Sequence, residues 1–243
     1  MFNMLTTFLT SEFKKWTRDP LMSFMLIYPA LFALIGRYGL PAIAEASGFV
    51  LANVADIAMV VLLLFTPPMF GAIVGFSILD DRDDRILDSI QVTPLSVHQY
   101  LSIRIILAIL MSFAACMLMI WFTGLVEMNL TQMLMVSFLM ALGSPIIGVL
   151  INAVASNKIE GFAVMKGSGM ISLFPLLGLF FYDIKEMIFG LAPGFWPAKM
   201  VGVIFRGEGI HYLSYNQYFL IGMVYVIALN ILVYGIFRKK LGL

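Results

Sequence analysis

Six long apolar segments, separated by breaks that carry nearly all the charge, constrain this chain more than any other feature. They run from Leu21 to Tyr38, Val54 to Leu79, Leu101 to Val126, Met133 to Ala155, Val164 to Tyr182 and Tyr218 to Phe237. A helix needs about 20 mostly apolar residues to cross the bilayer hydrocarbon, and each segment qualifies. Of the 243 residues, 61% are hydrophobic and 12% charged, whereas a soluble domain holds roughly 45–50% and about 25%. A soluble domain of this size keeps too much surface wet to hide that excess in one core. The expected fold is therefore all-α, a polytopic membrane protein with six transmembrane helices. A net charge of +1 supplies no field that would draw nucleic acid.

Orientation follows from the cations in the loops. With the N-terminus cytoplasmic, the inner side receives Lys14, Lys15, Arg18, Arg82, Arg85, Arg104, Lys158, Lys166, Arg238, Lys239 and Lys240. The outer side receives only Arg37, Lys185, Lys199 and Arg206. Both termini are expected inside, in a bacterial or archaeal cell membrane. Ala42-Ile43-Ala44 has the look of a signal-peptide cleavage site. The charged stretch before the first span is long for a signal and has its own amphipathic pattern, so span one is expected to stay. The single cysteine, Cys116, lies in an apolar helix and reads as packing.

In Met4 to Trp16 the apolar residues Leu5, Phe8, Leu9, Phe13 and Trp16 recur at three- and four-residue steps, with Glu12, Lys14 and Lys15 between them. That pattern predicts an interfacial helix over residues 1–19, with Trp16 and the lysines at the headgroup boundary. Asp19 reads as an N-cap and Pro20 as the first residue of span one.

The most informative stretch follows span two: Asp80-Asp81-Arg82-Asp83-Asp84-Arg85-Ile86-Leu87-Asp88, continuing to Thr93-Pro94-Leu95-Ser96. It predicts a short amphipathic cytoplasmic helix, a turn, and a capped entry to span three. Clustered carboxylates can serve acid–base or metal chemistry. Here they lie in a solvated loop that Arg82 and Arg85 can neutralise, and His98 stands alone. An exposed helix with an apolar face and a charged rim is better suited to docking another protein.

This stretch resembles the signature of the type-2 ABC (ATP-binding cassette) exporter permeases, Glu-Arg-Glu-x-Gly-Thr-Leu-Glu-x-Leu-x-x-Thr-Pro-Leu-Ser. Asp81, Arg82 and Asp83 match its opening, and Leu87, Asp88, Ile90, Thr93, Pro94, Leu95 and Ser96 match the rest. Arg85 and Ile86 depart from it, standing where the family has glycine and threonine. Glu12-Phe13-Lys14 and Arg18-Asp19-Pro20 also resemble that family, as does the six-span layout. The resemblance implies an elbow helix (residues 1–19), a six-span domain (20–243) and a first coupling loop (80–99) that meets a separate ATPase subunit. It makes Phe13, Lys14, Arg18, Asp81, Arg82, Asp83, Leu87 and Asp88 the expected ATPase contacts. Ser156 to Gly161 is either a second coupling loop or a plain tight turn. No cofactor is expected in this chain; the partner ATPase would bind ATP and magnesium. A second copy of the chain or a related permease would complete the transporter, surrounded by membrane lipid.

The chain has no Gly-x-x-x-x-Gly-Lys-Ser/Thr loop, since in Gly161 to Ser168 the lysine precedes the glycine. Ser168 in Gly167-Ser168-Gly169 has no histidine expected at its depth, so a nucleophilic site is not supported. Asp56 and Glu127 sit near outer span ends, while Asn152 and Asn230 are expected to hydrogen-bond between helices. Pro67-Pro68, Pro145 and Pro175 are expected to kink or break their helices. Residues 183–217 hold two apolar pieces too short to span, Ile184 to Leu191 and Phe195 to Phe205, with Trp196 at the interface. They read as short helices dipping into the outer leaflet. The overall expectation is an export permease for an apolar or amphipathic cargo, such as a drug, lipid or hydrophobic peptide. A non-pumping scaffold or immunity subunit and an ion-coupled carrier are the alternatives.

Overall fold

A computed structural model describes residues 2–86 and 97–241. Among the described residues the regular structure is all helical, and six helices are long and apolar enough to cross a membrane: Pro20–Ser47, Ala55–Asp83, Val97–Thr123, Leu130–Val154, Lys158–Gly178 and Tyr215–Lys239. These are spans one to six. The elbow helix, Phe2–Arg18, precedes them. A 3-10 segment, Ile184–Leu191, and an outer helix, Phe195–Arg206, lie between spans five and six. The expected coupling helix beyond Ile86, with Leu87 and Asp88, falls outside the described residues.

Spans two and four form the interior. Two glycines permit their close approach: a Cβ on Gly71 would run into the Ser144 carbonyl oxygen, and one on Gly148 would lie 2.6 Å from that of Gly71. Without a hydrophobic drive between helices in lipid, such backbone proximity is a main source of packing energy. Asn152 fastens the same pair, donating from Nδ2 to the Gly75 carbonyl at 2.9 Å.

Two of the expected proline breaks are present. Span four is interrupted at Leu142 and span five at Ser172, each three residues before a proline, Pro145 and Pro175. A proline ring obstructs the carbonyl four residues earlier and donates nothing to it. In span four the Ser144 hydroxyl donates to that Ala141 carbonyl at 2.8 Å, and Asn230 Nδ2 reaches the Leu142 carbonyl at 2.9 Å. Pro67 and Pro68 differ, for span two runs through them as one helix.

Three boundaries move functional residues. Span one continues beyond Tyr38 through a π-turn, Ile35–Gly39, to Ser47, where Gly48 ends it at φ 69°. Span two continues to Asp83, so Asp80 and Asp81 belong to its last turns rather than to a solvated loop. Span five begins at Lys158, because Asn157 Oδ1 accepts from the Glu160 N–H at 3.0 Å and Glu160 accepts in return from the Ser156 N–H at 2.7 Å. The connection from span four is thus a tight capped turn, and Lys166 lies about two turns inside span five rather than at its inner end.

Candidate functional site

The elbow helix is bound to the bundle by a buried ionic junction. Lys15 and Trp16 lie three and four residues past Glu12 and so share the elbow's inner face, and Asp19 follows as the N-cap of span one. Arg104, about two turns into span three, is 1% exposed and meets Glu12 Oε1 at 2.6 Å and Asp81 Oδ2 at 2.5 Å. Tyr100 donates its hydroxyl to the same Asp81 oxygen at 2.5 Å. Lys15 reaches Asp81 at 3.0 Å and Asp80 at 3.7 Å, and Trp16 donates to the Ser77 hydroxyl at 2.8 Å. Lys158, at the start of span five, joins Asp80 at 3.0 Å and Asp19 at 3.1 Å. The elbow is therefore fastened to spans two, three and five at once.

Electrostatics explains the arrangement. Asp80 and Asp81 lie at the C-terminal end of the span two helix, where the backbone already presents negative potential. Three cations from three other elements offset both effects. Asp19 sits at the favourable end of span one, accepting from the N–H groups of Leu21 at 2.9 Å and Met22 at 3.1 Å. Burial opposes its ionisation, but these bonds and Lys158 outweigh that and hold its carboxyl below the usual carboxylate range.

The expected contact residues separate into two groups. Phe13, Lys14 and Arg18 lie exposed on the outer face of the elbow, and Asp83 is exposed at the end of span two. Arg82 is half-buried and donates to the Asn152 carbonyl at 3.3 Å. Asp81, by contrast, is 2% exposed, with its carboxylate taken up by Arg104, Tyr100 and Lys15. It organises the junction from within. Leu87 and Asp88 lie outside the described residues. From the sequence, Glu12 and Lys15 belong to the elbow's polar face, with the lysines at the headgroup boundary, and Arg104 counts among the inner-side cations. The missed signal was Arg104 itself, since a charge inside an apolar span needs a partner.

Arg85 supplies one more detail. Its φ is 53°, in the left-handed region that favours glycine, and the resembling family signature has glycine at this position.

A second ionic layer closes the other end. Asp56, 1% exposed, takes Arg206 Nε at 2.5 Å and Nη2 at 3.0 Å. Glu186 and Lys199 are both fully buried and pair at 2.6 Å, and Tyr218 donates its hydroxyl to Glu186. Lys199 also donates to the Phe181 carbonyl at 2.7 Å. Trp196, expected at the interface, is buried instead and donates to the Gly190 carbonyl at 3.2 Å. Its outer helix packs against spans two, four and six, so this helix is interior rather than peripheral. Between the two layers, an apolar cavity of about 280 Å³ lies among spans two, four, five and six, lined in part by Pro67, Pro68, Met140, Ile146, Pro175 and Leu229.

The model of one protein family, described as fluoroquinolones export permease protein Rv2686c-like, matches residues 12–234. The chain belongs to this family. Two relatives from Mycobacterium tuberculosis, the fluoroquinolones export permease proteins Rv2686c (strain ATCC 25618 / H37Rv) and MT2760 (strain CDC 1551 / Oshkosh), are each 27% identical to the permease. Each alignment spans 243 residues, 97% of this chain and 94% of the relative. No solved structure matches the permease. Family and fold together bear out the exporter-permease resemblance: this is a multi-pass membrane protein and the membrane permease subunit of an exporter. The match begins at Glu12, the first residue of the ionic junction.

Proposed function

We propose that the permease moves an amphipathic drug of the fluoroquinolone type out of the cell, driven by a separate ABC ATPase subunit that binds ATP and magnesium. Both termini face the cytoplasm, and a second copy or a related permease completes the path through the cell membrane. The ATPase docks on Phe13, Lys14 and Arg18 of the elbow and on the 80–99 loop, with Arg82, Asp83, Leu87 and Asp88. Asp81 acts from inside, holding the elbow against spans two and three.

The observation that carries this reading is the buried junction of Glu12, Asp81 and Arg104. A helix lying passively on a membrane surface needs no such lock. One that must pass a push from below to spans two, three and five does, because a buried ion pair resists separation far more than an exposed one. The names of the relatives support the cargo class. The apolar cavity, close in size to the lower end of small-molecule pockets, supports an apolar body in that cargo.

Co-purification tests the docking face. The tagged permease would be co-expressed with ATPases encoded near its gene, and the detergent-extracted complex assayed for bound ATPase. Reversing Lys14, Arg18 and Asp83 should release the ATPase while the permease stays folded. Retention of the ATPase by that triple variant would refute the assigned face.

A further inference from the structure

Charged side chains are scarce in the interior of the spans. More than one turn from either end, the described residues contain three: Arg37, Arg104 and Lys166. Arg37 donates to the Thr123 carbonyl at 3.5 Å, and Arg104 is locked between Glu12 and Asp81. Lys166 is exposed and has no polar partner among the described residues. It lies eight residues past Lys158, so about 12 Å further along the helix at ~1.5 Å per residue. Lys158 itself is fixed at the membrane boundary by Asp19 and Asp80.

A charge at such depth turns toward a water-filled space or a partner rather than toward hydrocarbon. The rest of span five agrees. Spans five and six are both mostly exposed in the single chain, yet span six is strongly apolar and span five is the least apolar of the six. Lipid would explain the first but not the second. Beside Lys166, itself exposed, a Cβ added to Gly167 or Gly169 would meet nothing within 4 Å, so this part of span five is uncovered in the single chain. Along the same face, Met170 is 70% exposed and Leu173 55% exposed. The stripe thus offers one fixed positive charge followed by apolar surface.

We infer that Lys166 faces the transport path and binds the anionic group, a carboxylate above all, of an amphipathic cargo whose apolar body lies along Met170 and Leu173. The ammonium is a compact charge on a flexible stem, suited to following a carboxylate as the path reshapes. This assignment deepens the exporter reading and rests on it for the existence of a path, but binding is measurable without an ATPase.

The test uses the full-length permease in lipid nanodiscs, with empty discs as background. The probes are 1-pyrenebutyrate and its neutral methyl ester, matched in apolar body and differing in charge. The wild type should bind the acid at least about tenfold more tightly than the ester. Lys166→Gln should erase that preference by weakening only the acid, and Lys166→Arg should keep it. A wild type without preference, or a Lys166→Gln variant that keeps it or loses both probes equally, overturns the inference and leaves Lys166 as a headgroup anchor. A second readout addresses water access. Lys166→Cys in the assembled permease should react with a charged, membrane-impermeant thiol reagent, against the low background of the buried Cys116. Protection equal to that of an outward residue of span six, such as Val224→Cys, contradicts the placement. Failure of ATPase co-purification would instead sink the exporter reading and leave the binding result standing.

Discussion

Arg104 and Glu12 stand ninety-two positions apart in the chain and meet at 2.6 Å with both side chains buried. Neither could be left alone at that depth. Without Glu12, Arg104 would lose one of the two carboxylates that balance it inside span three, and without Arg104 the buried Glu12 carboxylate would lose its cation. Removing one partner strands the other, at a penalty of roughly 3–5 kcal/mol for a buried pair. Arg104→Gln should therefore lower the unfolding temperature sharply in detergent. The double variant Glu12→Gln with Arg104→Gln should lose less than the two single changes added together. Additive losses would show that the contact is not formed.

The interior glycines predict a contrast. Gly71→Ala places a methyl group against the Ser144 backbone, where only a shift of spans two and four can relieve it. Overpacking of this kind costs about 1–3 kcal/mol. Gly167→Ala meets open space and gains helix propensity, so it should be neutral or slightly stabilising. Thermal melts of the two variants side by side check this, and equal effects would argue against the close approach.

The outer layer should weaken in acid. Burial, and then the nearby Lys199, push the His211 pKa down to about 4, against about 6.5 in an unfolded chain. Arg206 opposes its protonation as well, while Asp56 and the Gly202 backbone favour it. Between these pH values the unfolded chain takes up a proton that the folded one refuses, so stability is full above about 6.5 and declines as pH falls toward about 4. His211→Gln should flatten that part of the profile. Melting temperature against pH, compared for wild type and variant, decides it.

Arg85 predicts a gain. A non-glycine residue in the left-handed region costs roughly 1–2 kcal/mol, so Arg85→Gly should leave stability unchanged or raise it. Loss of several degrees in the melting temperature would contradict this.

Much of the architecture was legible because the bilayer imposes a simple rule of length and polarity. Leu101 to Val126 could hardly be anything but a span, and Pro145 and Pro175 announced their breaks. The errors cluster where polar residues extend a helix past its apolar run. Asp80 and Asp81 read as loop because charge ordinarily leaves the membrane, yet Lys15, Lys158 and Arg104 arrive from distant elements to hold them in the helix, Asp81 buried and Asp80 half-buried. Lys199 counts among the outer-side cations for the same reason, although it is buried against Glu186. Long-range ion pairs leave no local periodicity, so a single sequence shows the members but not the pairing. Lys166 counts among the inner-side cations because the apolar run starts only two residues before it, at Val164; the Asn157 and Glu160 cap that starts the helix earlier was the available clue.

Transport itself gives the most direct test. Inside-out vesicles carrying the permease and its co-purified ATPase would be loaded with nothing and offered a fluorescent fluoroquinolone. The account predicts accumulation that requires ATP, stops when either subunit is omitted, and falls severalfold with Arg104→Gln even where ATPase binding persists. Accumulation driven by an ion gradient without ATP or the ATPase would contradict it and make the permease a carrier.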